Sequence, residues 1–178
     1  MYMKKITSKG FTLIELLIVI ALLGALAVGL LAALDPFEQL KKGTDTGIRN
    51  TVSEIHGAVI RYYAIKNNMP WCPTGVGCPA DPSGTDLSTA PIGPQATADT
   101  ALYNIVATGE LKEDFSTLAS GALTRVFVTG SQVNSSVTVC FRPTSKSFLA
   151  DPNSQFDKLG VITVCDTADL NTCFWCVK

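Results

Sequence analysis

The sequence predicts an α+β protein: one long N-terminal helix, half apolar and half amphipathic, packed on a small antiparallel β-sheet head. Three observations predict it. Residues 11–34 form an apolar run with a single charge. Beyond it, apolar residues recur at three- and four-residue spacings as far as Tyr62. From Arg125 onward, short segments rich in Val, Phe, Thr and Ile alternate with turns. The averages conceal this division. Hydrophobic residues make up 47% of 178 positions and charged residues only 16%, against the ~25% usual in soluble domains, and the mean hydropathy is +0.28. Such a chain is too apolar for disorder. A formal net charge of −1 gives no basic excess that points to nucleic acid.

The surplus sits in Phe11 to Leu34, where 20 of 24 residues are apolar. At 1.5 Å per residue, ~20 such residues cross a hydrocarbon core of ~30 Å. Met1 to Gly10 precede the run with Lys4, Lys5 and Lys9 and no acid. Basic flanks stay cytoplasmic, so the remainder is expected on the exported side. Ala25-Leu26-Ala27 offers the small residues of an ordinary signal-peptide cleavage site. Glu15, a carboxylate inside the apolar run, fits neither a signal peptide nor a plain anchor. An acid at the centre of a membrane helix costs ~2.5–3.5 kcal/mol, and intramembrane acids are functional candidates by default.

Lys9-Gly10-Phe11-Thr12-Leu13-Ile14-Glu15-Leu16 resembles the cleavage motif of type IV pilins and of the pseudopilins of type II secretion and competence systems. The resemblance implies a leader, residues 1–10, removed after Gly10 by a prepilin peptidase that then methylates Phe11. The processing residues are then Gly10, Phe11, Thr12 and Glu15. It further implies that Glu15 pairs with the Phe11 amine of a neighbouring subunit, so that Phe11 and Glu15 direct assembly of a helical filament. A charge buried in hydrocarbon needs such a partner, and losing it costs ~3–5 kcal/mol.

Residues 35–68 continue as an amphipathic helix. Phe37, Leu40, Thr44, Ile48, Val52, Ile55, Val59 and Tyr62 are expected on the packed face, and Glu38, Lys41, Lys42, Asp45, Arg49 and Arg61 on the solvated one. One helix from Phe11 to about Asn67 spans roughly 85 Å. Asp35-Pro36 is expected to kink it, and Asn67-Asn68-Met69-Pro70 to end it. Many pilins have a proline a few residues earlier, where this chain has Ala32. Gly24 and Gly29 weaken the apolar half and permit close packing, but their spacing is not GxxxG. His56, the sole histidine, has no histidine or cysteine at helical spacing and is expected at the boundary of the packed face.

Residues 69–178 form the head. Trp71 to Thr97 is a connector rich in Pro, Gly, Ser, Thr and Asp. Asp99 is expected to cap a short helix, Ala101–Thr108, which Gly109 ends, with Ala98, Leu102, Ile105 and Val106 toward the core. Leu102 to Leu111 resembles a short-helix segment of pseudopilin-like chains. Strands are expected at Arg125–Thr129, Ser136–Arg142, Lys146–Ala150, Gly160–Cys165 and Cys173–Val177, with turns at Pro143-Thr144-Ser145 and Asp151-Pro152-Asn153. The amphipathic helix is the available cover for the sheet.

Cys72, Cys78, Cys140, Cys165, Cys173 and Cys176 all fall on the expected exported side, where disulfides are the default. Of fifteen connectivities, the expected one is Cys72–Cys78, Cys165–Cys173 and Cys140–Cys176. Two alternatives stand beside it: a zinc site from Cys72, Cys78, Cys173 and Cys176, and a redox pair at Cys173–Cys176. Cys173-Phe174-Trp175-Cys176 also resembles a C-terminal cysteine-aromatic signature of some pilin-like chains. Asp81–Asp86 and Asp166–Asn171 are oxygen-rich loops. Major pseudopilins hold calcium in a head loop, so the resemblance makes either a candidate, though neither matches an EF-hand. No other metal or cofactor and no catalytic residue is expected, since GxSxG, HExxH and GxxxxGK[ST] are missing.

The expectation is therefore a non-enzymatic prepilin or pseudopilin, held in the inner membrane and then built into a pilus-like filament, extracellular or periplasmic. Its implied partners are the prepilin peptidase/methyltransferase, assembly-platform proteins and other pilin-type subunits, its own copies or relatives. The alternatives are a membrane-anchored extracytoplasmic binding module and a subunit of a type II secretion or DNA-uptake system.

Overall fold

The computed structural model describes residues 10–33, 35–74, 81–89, 92–93, 100–163 and 173–178. Lys4, Lys5, Lys9, Leu34, Cys78, Ala98, Asp99, Cys165 and Asp166–Asn171 lie outside the described residues. The chain divides into two compact units, 1–39 and 40–178.

The first unit holds α1, Leu13–Ala33, and the first turn of α2, which spans Pro36–Lys66. Helix thus covers nearly all of the span expected from Phe11 to Asn67, but in two pieces. Asp35 accepts the backbone N–H of Glu38 at 3.3 Å through Oδ1. Pro36 occupies the first helical position, where its missing N–H costs nothing. Asp35-Pro36 therefore starts a new helix rather than kinking an existing one. No residue of α1 is buried. Phe37 (73% exposed) also stands open, contrary to its expected place on the packed face.

The second unit is the α+β head. Its sheet has the order β1-β2-β3-β4, with β1 Thr85–Asp86, β2 Val126–Ser131, β3 Ser136–Phe141 and β4 Trp175–Val177, every pair antiparallel. The register sets Val126 opposite Phe141, Val128 opposite Val139 and Phe141 opposite Trp175. These residues form one face. They share a core with Ile48, Val52, Ile55, Ala58, Val59 and Tyr62 of α2, so the amphipathic helix covers the sheet as its periodicity requires. Leu40 and Thr44 are exposed, and burial on α2 begins at Asp45. Asn67 ends α2 at φ 54°, the left-handed turn that Asn tolerates.

Asp45 is the largest correction on α2. It is 0% exposed rather than solvated. Its carboxylate accepts Thr144 N at 2.8 Å, Thr144 Oγ1 at 3.0 Å and Ser145 N at 2.7 Å, with Arg125 Nη2 at 3.4 Å. Those contacts explain a second correction. Lys146–Ala150 is not a strand; Lys146–Leu149 is the short helix α6, with Ser145 as its N-cap. Asp45 supplies the acceptor that Ser145 and Thr144 need at that helix start.

Helix α3, Ala101–Ala107, forms where expected and Gly109 follows its end at φ 80°, but its N-cap is Thr100 and not the expected Asp99, because the helix begins at Ala101 and the residue just before it takes the extended cap position. Two further single turns, α4 Phe115–Leu118 and α5 Ser120–Leu123, lead into β2. Among 160–163 there is no strand, only a bridge from Ile162 to Phe156. β1 forms inside the connector expected to be irregular. Trp71, fully buried, donates Nε1–H to Asp81 Oδ1 at 3.0 Å, and Gln132 N donates to the same oxygen at 3.1 Å. The Trp71 ring lies over Gly130, where an added Cβ falls 2.4 Å from it, so only glycine fits.

Candidate functional site

The sequence places its candidate chemistry at Gly10, Phe11, Thr12 and Glu15. Gly10 and Phe11 stand exposed ahead of α1, outside regular structure, and a Cβ at Gly10 meets nothing within 4 Å. The Gly10–Phe11 peptide bond is therefore open to an approaching protein surface.

Thr12 is the N-cap of α1. Its backbone N–H donates to Glu15 Oε2 at 2.8 Å, and its hydroxyl donates to the same oxygen at 2.7 Å. In return Thr12 Oγ1 accepts Glu15 N at 3.3 Å. This is a capping box, in which two orphan helix-start donors are satisfied reciprocally. The negative carboxylate also faces the positive end of the helix dipole. Glu15 Oε1 makes no hydrogen bond among the described residues. Asp35 and Glu38 stand at the same spacing at the start of α2. The [S/T/D]-x-x-E spacing is the signal in the sequence that marks both helix starts.

Behind this start, α1 exposes an apolar surface on every side. Leu22, Ala25, Leu26, Gly29 and Leu30 line an open groove of about 430 Å3, because Ala25 and Gly29 have little or no side chain between the leucines. A 21-residue helix is ~31 Å long, enough to cross a bilayer core.

The cysteines resolve in part. Cys140 and Cys176 form a disulfide and sit directly opposite each other in the β3–β4 register. The bridge ties the last strand to the sheet. Cys72 and Cys173 are disulfide-bonded as well; the expected partners, Cys78 and Cys165, lie outside the described residues. With Cys176 bonded to Cys140, neither the Cys173–Cys176 redox pair nor the four-cysteine zinc set exists in this state. Phe174 and Cys176 pack with Cys140, Phe127 and Phe156 in a small cluster of their own, so the aromatics of the last strand serve sheet packing.

The calcium candidate at Asp81–Asp86 is occupied by turn chemistry. Asp81 Oδ1 holds Trp71 and Gln132, and Asp86 Oδ1 accepts Ser88 N at 2.9 Å. The loop at Asp166–Asn171 lies outside the described residues. His56 is half-buried on α2 and hydrogen-bonded to the Val137 backbone; burial, the larger effect, holds its imidazole below the usual histidine value. No group of three His, Cys, Asp or Glu side chains is placed to hold a metal among the described residues.

Residues 7–31 match the family model described as the prokaryotic N-terminal methylation motif, the signature of the type IV pilin class of leader. The match covers the basic approach, Gly10–Glu15 and most of α1. No curated protein and no solved structure gives a significant match to the chain.

Proposed function

We propose that the chain is the precursor of a structural pilin-type subunit, a type IV pilin or pseudopilin, without catalysis of its own. The observation that carries the reading is the methylation motif at 7–31 running directly into a fully exposed apolar helix with one acid at its start. A dedicated peptidase cuts after Gly10 and methylates the new amine of Phe11. Until assembly, α1 holds the protein in the inner membrane with the head on the exported side. Assembly then moves α1 from lipid into a bundle of its own kind, so apolar surface remains buried throughout.

Glu15 supplies register. The Thr12 box fixes its side-chain direction and leaves Oε1 open. A cationic amine from a neighbouring Phe11 meets a carboxylate already oriented and needs only the free oxygen. Out-of-register addition leaves amine and carboxylate unpaired in an apolar bundle, at a cost of ~3–5 kcal/mol. The groove at Ala25 and Gly29 accepts side chains of an adjacent helix, since small residues let helix backbones approach closely.

Glu15→Ala in the producing cells tests the role. It is expected to leave membrane insertion and cleavage intact and to abolish incorporation into sheared filaments. Normal filament yield from the variant overturns this role for Glu15.

A further inference from the structure

A second feature sits where β2 begins and β3 ends. Arg125 immediately precedes β2 and Arg142 immediately follows β3, so the two flank the Val126–Phe141 pair. Arg125 Nη2 donates to the Arg142 carbonyl at 3.1 Å, which fixes the two residues side by side. Two like charges held this close repel each other. The acid nearest them does not cancel both. Asp45 approaches Arg125 at 3.4 Å, but it is fully buried and already accepts from Thr144 N, Thr144 Oγ1 and Ser145 N. Arg142 is exposed and has no acidic partner among the described residues.

Thr124, Arg125, Phe127, Arg142 and Thr144 together line a cleft of about 220 Å3. Phe127 forms an apolar side of it, held edge-to-face by Phe174 at 5.4 Å. The lining offers two planar guanidinium groups, a shape that matches oxyanions; Arg125 already contacts Asp45 and the Arg142 carbonyl through Nη2, while Arg142 is exposed. The lining also offers the Thr124 hydroxyl; that of Thr144 already donates to Asp45. An aromatic wall beside two arginines suits an anionic oxygen cluster carried on a less polar body.

We propose that this cleft binds a phosphate group, presented either as the free anion or as the headgroup of an acidic phospholipid. The lipid source rests on the membrane anchoring proposed above. The free-anion source depends on the head alone, so its failure leaves the pilin reading standing, and the converse also holds.

The test uses the full chain in phosphatidylcholine nanodiscs, with backbone amide NMR at Thr124, Arg125, Arg142 and Thr144. One arm titrates inorganic phosphate at fixed ionic strength. The other replaces part of the lipid with phosphatidylglycerol. Saturable shifts at these amides are expected, about tenfold weaker in binding for Arg142→Gln. Arg142→Lys, which keeps the charge and loses the fork, is expected to fall between. Lys158→Gln, at a residue that does not line the cleft, is expected to bind as the unaltered protein does. Shifts in the phosphate arm alone identify a free-anion site, and shifts in the phosphatidylglycerol arm alone a headgroup site. Shifts that persist unchanged in Arg142→Gln, or none in either arm, overturn the proposal.

Discussion

Asp45→Ala is predicted to be among the most damaging single substitutions on α2. The side chain is fully buried and takes two backbone N–H groups, one hydroxyl and a guanidinium. Hydrogen bonds to a charged group contribute ~1.5–3 kcal/mol each, and a buried donor left without a partner costs ~1–3 kcal/mol. Ser145 is 1% exposed, so water does not replace the lost acceptor there without opening the structure. The contacts are not additive. Breaking a buried charged cluster by removing one member costs ~3–5 kcal/mol, and that is the expected loss. Near the midpoint this corresponds to roughly 10 °C in a domain of this size. The assay is thermal and urea unfolding of the detergent-solubilised protein with its disulfides intact, with Lys42→Ala as the exposed control. A loss within ~0.5 kcal/mol of that control refutes the reasoning, because that is the range of an ordinary surface change.

Three further outcomes follow from the same contacts. His56 has its proton affinity lowered by burial, so the folded state binds fewer protons than the unfolded one below about pH 6.5. The stability it preserves is present above that pH and lost as pH falls toward its lowered folded value. Urea midpoints at pH 7.5 and 5.0 are expected to differ less in His56→Gln than in the unaltered protein. Gly130→Ala forces a Cβ to 2.4 Å from the Trp71 ring, and is expected to cost ~1–3 kcal/mol and to shift tryptophan fluorescence. Thr12→Ala removes the cap of α1, a loss of ~1 kcal/mol, so amide exchange at Glu15 and Leu16 in micelles should rise about fivefold.

Much of the fold was legible because its signals are local. The apolar run, the spacing from Ile48 to Tyr62, the Asn67 stop, Gly109 and the strands β2, β3 and β4 follow from periodicity and turn chemistry. What was hidden depends on distant partners. Asp45 reads as a solvated charge until residues 144–145 fold against it, a hundred positions along the chain. Lys146–Leu149 reads as strand because Phe148 and Leu149 suit one; Asp45 stabilises a helix start there instead. Phe37 and Leu40 share the spacing of the packed face but precede the first residue the head covers. At the N-terminus, the Glu15 anomaly was plain in the sequence. The Thr12 box that orients it was also written there, in the T-x-x-E spacing, beneath the more conspicuous charge.

The central claim concerns processing at Gly10, and mass spectrometry of the protein purified from its native membrane tests it most directly. The account predicts a chain that begins at Phe11 and carries one N-methyl group. An intact leader, or a chain that begins at Val28 after the Ala25-Leu26-Ala27 segment, contradicts it.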